Sequence, residues 1–325
     1  MRGRNLLTTR RANALAVGAG ALGATYVGAR FAVALAAAKR RVAAGSKVIR
    51  TAFCDLEYAI QGEGPRLLMI HGTGGGFDQG LAMSKGIIER GHQVIAPSRF
   101  GYLRSDCPAD PSSERQADAF AELLDHLRID RIAVAGGSAG ALSAAQFALR
   151  HPDRCSALIL LVPAANVTGR DPVEMSTFQE FMVRRLAMSD FLFWASLKTV
   201  PDQMVATLLA TDPRLIALAG PTERQRALRI LEEIMPISSR SKGMLNDARL
   251  AGHPSQMDFS RIVAPTLVIS VEDDRFGTAD TAREIESVVP DARLVIYPSG
   301  GHIWVGHDND VTEEIVAFLA DVTAK

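Results

Sequence analysis

The segment Arg131-Ile-Ala-Val-Ala-Gly136-Gly137-Ser138-Ala139-Gly140 holds the residues with the most chemical capacity in this chain. A buried-strand pattern runs into G-x-S-x-G, and a helix-period pattern follows. A serine in that setting sits on a strained turn with its hydroxyl raised above the sheet edge. Small residues two positions to either side let strand and helix pass closely. Gly136 and Gly140 take those two places. The N–H of Ala139, at the helix start, then faces a carbonyl attacked by Ser138 and can hold its oxyanion. A serine hydroxyl is a poor nucleophile at neutral pH. It needs a base within hydrogen-bond reach, and the base needs a carboxylate to orient it. The bland alternative for this stretch is a glycine-rich structural turn.

The elements that would carry such a site follow from the apolar pattern. Runs of strand length lie at 67–70, 94–96, 132–135, 157–162, 266–271 and 293–297. They are short, rich in β-branched residues and mostly not alternating, as in strands buried on both faces. Residues 48–52 and 56–61 read as an opening antiparallel pair. Helix-period segments at 116–127, 141–149 and 311–319 lie between or after them. The expected fold class is α/β: a mostly parallel central sheet with helices on both faces. Residues 164–256 break the alternation and read as helices only. Met175, Phe178, Met182 and Leu186 share one face there, Ser189 and Asp202 are expected N-caps, and Leu228, Leu231 and Ile234 line up after Thr222.

Around these residues the chain resembles the α/β-hydrolase superfamily, over about residues 46–325. Leu67-Leu-Met-Ile-His71-Gly72-Thr73-Gly74-Gly75-Gly76 resembles that family's strand and His-Gly oxyanion loop. The resemblance implies a second oxyanion donor at the backbone of Thr73 or Gly74, with His71 positioning backbone. Residues 96–106 resemble the turn after the next strand, although the family usually has Asp after the proline and Gly where Leu103 stands. The family's chain order is serine, acid, histidine. Residues 264–276 resemble the strand and loop that deliver the acid, which lands on Asp274. Asp273 is the rival, read as a cap or surface charge, and Glu272 a distant third. Tyr297-Pro298-Ser299-Gly300-Gly301-His302 resembles the loop of the base, with His307 as the alternative. His92, His126, His151 and His253 have no legible chemical neighbours.

The resemblance implies acyl transfer to water. The expected activity is a serine hydrolase cleaving a carboxylic ester with an apolar acyl or aromatic group. Carbon–carbon hydrolysis of ring-cleavage diketones is the rival, and a non-catalytic binding protein on the same fold is the alternative of another class. A serine rather than an aspartate nucleophile disfavours epoxide opening and dehalogenation. Ala139 stands where perhydrolase-like members often carry Met. The helical segment 164–256 would act as a lid, with Phe178, Phe181 and Trp194 as candidate pocket walls, although they serve equally as lid core. No cofactor or metal is expected, and the partner is a small-molecule substrate.

Composition narrows the remaining classes. Of 325 residues, 36 are Lys or Arg and 36 Asp or Glu, so the formal charge is zero. That disfavours nucleic acid, whose phosphates need a cationic surplus. Three cysteines, Cys54, Cys107 and Cys155, are too few for a disulfide framework. Residues 1–45 stand apart from the core segments 46–163 and 257–325. Arg2, Arg4, Arg10 and Arg11 precede an Ala- and Gly-rich run over 12–38, closed by Lys39, Arg40 and Arg41, and no acidic residue occurs before Asp55. The first expectation is a membrane anchor, and so membrane association through residues 12–38. A cleaved signal (export) and a helix lying on a surface are the others. The cytoplasm is a further location. Arg30 interrupts the run, and Leu15, Val17, Leu22 and Val27 supply only about −2 kcal/mol of insertion energy.

Overall fold

The computed structural model describes residues 3–165, 188–252 and 257–324, with side chains from residue 23 onward except at 251 and 252. Phe178, Phe181 and His253, with the helical face drawn through Met175, Met182 and Leu186, lie outside the described residues.

One eight-stranded sheet organises the chain, in the order β1-β2-β4-β3-β5-β6-β7-β8. Its strands are β1 (Lys47–Arg50), β2 (Asp55–Gln61), β3 (Arg66–Ile70), β4 (Gln93–Pro97), β5 (Ile132–Gly137), β6 (Cys155–Leu161), β7 (Thr266–Val271) and β8 (Ala292–Tyr297). The β1–β2 and β2–β4 pairs are antiparallel, and every other pair is parallel. Strand alternation divides the core into two layers. Leu68, Ile70, Val134, Leu158, Leu160 and Val268 face a helix layer with Phe120, Leu124, Phe147 and Ile285. Leu67, Met69, Ala135, Ile159, Leu161 and Ile269 face the opposite layer, with Phe77, Ile87, Ile315 and Phe318. Both faces are therefore dry, which explains the continuous apolar runs in the sequence.

Helices cover the faces: α2 (Phe77–Met83), α3 (Lys85–Glu89), α4 (Ser113–His126), α5 (Gly140–Arg150), and near the C-terminus α11 (Thr278–Val288) and α12 (Asp308–Ala324). Between β6 and β7 the described residues form only helices. These are α6 (Asp190–Thr199), α7 (Pro201–Leu208), α8 (Pro213–Leu218), α9 (Pro221–Glu233) and α10 (Ser241–Gly252), with a short 3₁₀ turn at Ile237–Ser239. Ser189 caps α6 by accepting the N–H of Leu192, as expected. Asp202 does not cap α7. Pro201 takes the first turn and Val200 the cap position, because proline's fixed φ and missing N–H suit the first helical residue. Asp212, not singled out in the sequence, caps α8 through the N–H of Arg214.

The N-terminal run is a 41-residue helix, α1 (Gly3–Ala43). Among the described residues no helix is long and apolar enough to cross a membrane. The anchor expectation is therefore corrected: alanine and glycine contribute too little transfer energy, and Arg30 cuts the run. The C-terminal part of α1 packs against the helical insertion instead. Ala38, with Phe31 and Leu35 beside it, joins a cluster containing Phe193, Leu197, Leu231, Ile234 and Ile303. Phe31 meets Phe191 edge-on at 5.3 Å and Trp194 at 5.7 Å. Arg41 donates to the carbonyls of Glu233 and Met235 and pairs with Asp78.

This packing predicts that Phe31→Ala lowers the unfolding free energy by about 1–3 kcal/mol, less than a fully buried ring would cost. Urea unfolding followed by tryptophan fluorescence checks it, and an unchanged midpoint would show that α1 adds nothing to the fold.

Candidate active site

Ser138 directly follows β5, with φ of +51°, in the left-handed region. A non-glycine residue rarely sits there. Its own N–H bonds Leu161 at 2.9 Å, and its carbonyl accepts from Ala141 and Ala164. The flanking glycines are a steric necessity. A Cβ at Gly136 would come within 2.6 Å of the Gly140 carbonyl oxygen, and one at Gly140 within 2.5 Å of the Ile70 and His71 carbonyl oxygens. Helix α5 thus starts directly against the end of β3, and this brings Ser138 beside the loop that follows His71.

His302 and Asp274 arrive from the ends of β8 and β7. The Ser138 hydroxyl lies 2.9 Å from His302 Nε2, and His302 Nδ1 lies 2.8 Å from Asp274 Oδ2. The structure therefore brings the three expected residues into one hydrogen-bonded line. The Asp274 side chain is fully buried. Its Oδ1 accepts the N–H of Phe276 at 2.9 Å, and its Oδ2 also accepts a short hydrogen bond from the Thr278 hydroxyl. The Thr278 proton is committed to the carboxylate, so the Ser270 hydroxyl, 2.9 Å away, donates to Thr278. Burial pushes the Asp274 carboxyl upward. The hydrogen bond and charge of His302, with the Thr278 and Phe276 donors, outweigh it and hold the group below the ordinary carboxylate range. Phe276 also sets its ring edge-on against His302 at 4.9 Å.

The rival residues serve elsewhere. Asp273 is neither a helix cap nor a free surface charge, as the sequence suggested. Its Oδ1 accepts the N–H groups of Gly300 and Gly301 at 2.9 and 2.7 Å, tying the loop of Asp274 to the loop of His302. Glu272 pairs with Arg283 at the surface. His307 pairs with Asp310 and stacks on Tyr297 at 4.3 Å. His71 is fully buried. Its Nε2 accepts the N–H of Arg99 at 2.9 Å, so its proton sits on Nδ1 and is donated to the Gly72 carbonyl at 2.7 Å. Burial and the neighbouring Arg99 charge drive it well below the ordinary imidazole range. It is a neutral brace between two loops.

Among the described residues, no hydrogen bond engages the N–H of Ala139 or of Thr73. The N–H of Gly74 is directed to the Tyr102 hydroxyl at 3.3 Å. Ala139 is at the N-cap of α5, where helix N–H groups converge on an anion. Of the two loop candidates, Thr73 is therefore the freer donor. Trp194 stands in the aromatic group with Phe31 and Phe191 that joins α1 to the insertion. Its described ring contacts are packing contacts. Among the described residues no group of His, Cys, Asp or Glu could hold a metal ion.

Several residues around the site were not legible as site residues. Thr278 is four positions past Asp274 and reads as an ordinary helix start. Leu103 stands where the family turn usually has glycine, and it adopts φ of +51°. The Leu103 N–H is fixed on the Ser239 carbonyl at 2.8 Å. Arg99 and Tyr102 on that turn, and Asp247 on α10, meet across more than a hundred residues, a separation that local pattern cannot cross.

Comparison with known proteins agrees with this fold. A family model described as alpha/beta hydrolase fold matches residues 65–305. The uncharacterized hydrolase YcgS of Bacillus subtilis (strain 168) is 26% identical over 279 residues, covering 80% of this chain and 93% of that protein. The 2-hydroxy-6-oxononadienedioate/2-hydroxy-6-oxononatrienedioate hydrolase of Paraburkholderia xenovorans (strain LB400) is 29% identical over 290 residues, covering 82% of this chain and 91% of that protein. Among solved structures, an alpha/beta hydrolase fold protein from Nakamurella multipartita superposes with a TM-score of 0.70 at 24% identity, over 84% of this chain and 98% of that one.

The depressed Asp274 carboxyl makes a signed prediction. A carboxyl held low in the folded state stabilises that state above its unfolded value of about 3.9, and this stability is lost as pH falls through the lower folded value. The stability difference between wild type and Asp274→Asn should stay constant at neutral pH and shrink below about pH 4. Urea midpoints measured from pH 3 to 7 check it, and a difference that widens in acid would contradict it.

Proposed function

From the premise that this chain belongs to the α/β-hydrolase fold family and is a hydrolase, we propose that it cleaves a carboxylic ester through Ser138, His302 and Asp274. The unbroken line Ser138 Oγ–His302–Asp274, at 2.9 and 2.8 Å, carries the reading. His302 Nε2 takes the Ser138 proton as Oγ bonds to the substrate carbonyl carbon. The tetrahedral oxyanion rests on the N–H groups of Ala139 and Thr73. Collapse expels the alkoxide, which receives the proton from His302 and leaves an acyl group on Ser138. A water molecule, deprotonated by His302, then releases the acid and restores the serine. Asp274 keeps the histidine in the tautomer that presents Nε2 as acceptor, and steadies its charged form.

In this reading the helical insertion is the lid. Ile234 reaches the oxyanion loop, because a Cβ at Gly74 would meet its side chain at 3.4 Å. Ile303 and Val305, which flank the loop of His302, belong to the insertion's own apolar cluster. The substrate class expected under such a cover is an ester with an apolar acyl or aromatic group. Carbon–carbon hydrolysis is the second reading. It is favoured by the Paraburkholderia relative named for cleaving an oxo-dienedioate, and the same oxyanion loop would serve it.

The full chain should hydrolyse short- or medium-chain p-nitrophenyl esters, and Ser138→Ala and His302→Ala should each lower kcat by at least about 10³-fold. Asp274→Asn should cost roughly 10⁴-fold by disfavouring the productive tautomer. Turnover of a vinylogous diketone with no ester hydrolysis would replace the first reading by the second. Inertness toward both would overturn the two together.

A further inference from the structure

A buried polar group lies beside the oxyanion loop, and the triad does not use it. Arg99, on the turn after β4, forms a two-pronged ion pair with Asp247 of α10, at 2.7 Å to Oδ1 and 2.6 Å to Oδ2, with both side chains about 5% exposed. Asp247 Oδ2 also accepts the Tyr102 hydroxyl and, at 2.9 Å, the Thr73 hydroxyl. Tyr102 in turn accepts the Gly74 N–H at 3.3 Å. Its ring packs edge-on to His71 at 4.7 Å and lies under the Arg99 guanidinium. One carboxylate from the helical insertion thus grips two successive residues of the oxyanion loop, one through its side chain and the other through Tyr102.

We propose that Asp247, with Arg99 and Tyr102, is a positioning assembly that aims the Thr73 N–H at the oxyanion and makes the oxyanion hole depend on the seating of the insertion. The inference rests on the serine-hydrolase reading above. The proton inventory supports it. The carboxylate can only accept, and its three partners all donate. The Tyr102 hydroxyl spends its one proton on Asp247, so it meets the Gly74 N–H as an acceptor. With Gly74 engaged and the Thr73 hydroxyl anchored, the loop has its Thr73 N–H left for the substrate. Burial and the adjacent Asp247 charge push the Tyr102 hydroxyl well above its ordinary range, so it stays protonated at any working pH. Arg99 supplies the countercharge. A buried carboxylate accepting only neutral donors would otherwise be costly. Removing this support shifts the loop by fractions of an ångström, and catalysis is sensitive to such displacement.

The test uses the full chain and separates positioning from folding. Asp247→Asn leaves Arg99 buried without its countercharge, so Tyr102→Phe and Thr73→Val accompany it: the first removes the bonds to Asp247 and Gly74, the second the bond to Asp247, and neither removes a charge. Four quantities are read: kcat and KM for p-nitrophenyl butyrate, labelling by a fluorophosphonate, and Ki for an aryl trifluoromethyl ketone. Ser138 Oγ adds to the ketone carbon and its proton passes to His302, giving a hemiketal oxyanion in the same hole. Tyr102→Phe and Thr73→Val should each lower kcat about tenfold or more with KM within about twofold. The ketone Ki should weaken by a matching factor, and the double variant should fall short of the product of the singles. Unchanged kcat and Ki, or a shift confined to KM, in a chain whose wild type is labelled would overturn this inference and leave the hydrolase reading standing. A wild type that is neither labelled nor active would overturn both.

Discussion

The left-handed backbone at Ser138, φ +51°, is the constraint around which the rest of the molecule is arranged. It exists because a buried parallel strand must turn at once into a helix, with no room for side chains where the two elements cross. Gly136 against Gly140, and Gly140 against the Ile70 and His71 carbonyls, set how close β5, α5 and β3 come. That closeness brings a hydroxyl from β5 and an N–H-rich loop from β3 to the same point above the sheet edge. The strain at one residue is held by bonds on both sides, to Leu161, Ala141 and Ala164, so the fold over-determines it.

Two systems of buried polar groups flank that point. On one side Ser270 and Thr278 line up as donors behind the accepting Asp274 carboxylate, which faces His302, and Asp273 ties the loop of Asp274 to the loop of His302. On the other, His71, Arg99, Tyr102 and Asp247 brace the loop that follows β3. Arg240, fully buried, adds to the second system by pairing with Asp78 and donating to the Gly75, Glu233 and Ile234 carbonyls. Arg41 of α1 reaches the same Asp78. The N-terminal helix is in this way joined to the helical insertion and to the start of α2, through charge as well as through Phe31.

What was readable in the sequence was what is local. The strands could be placed because both faces of the sheet are dry and the runs are uninterrupted. Ser138 and His302 stood out because the glycines that make their geometry feasible lie within two residues of them. Asp274 could be separated from Asp273 only by resemblance, since adjacent carboxylates in a loop carry no periodicity. Their division of labour, one toward the imidazole and one toward backbone N–H groups, appears only in three dimensions. Asp247 lies 174 residues from Thr73, and no spacing rule joins them. The N-terminal run misled for a different reason. Its length suits a bilayer, but length is a weaker determinant than transfer energy, and an Ala-rich helix can bury a few larger side chains against protein instead.

The proposed reaction rests on covalent chemistry at one oxygen. The most direct measurement mixes the full chain with p-nitrophenyl acetate, quenches with acid within the first turnovers, and maps the peptides by mass spectrometry. An acetyl group is expected on the peptide containing Ser138, appearing with the burst of p-nitrophenolate and disappearing as turnover proceeds. Ester turnover with no acyl group on Ser138 at any quench time, or with the group on another side chain, would contradict it.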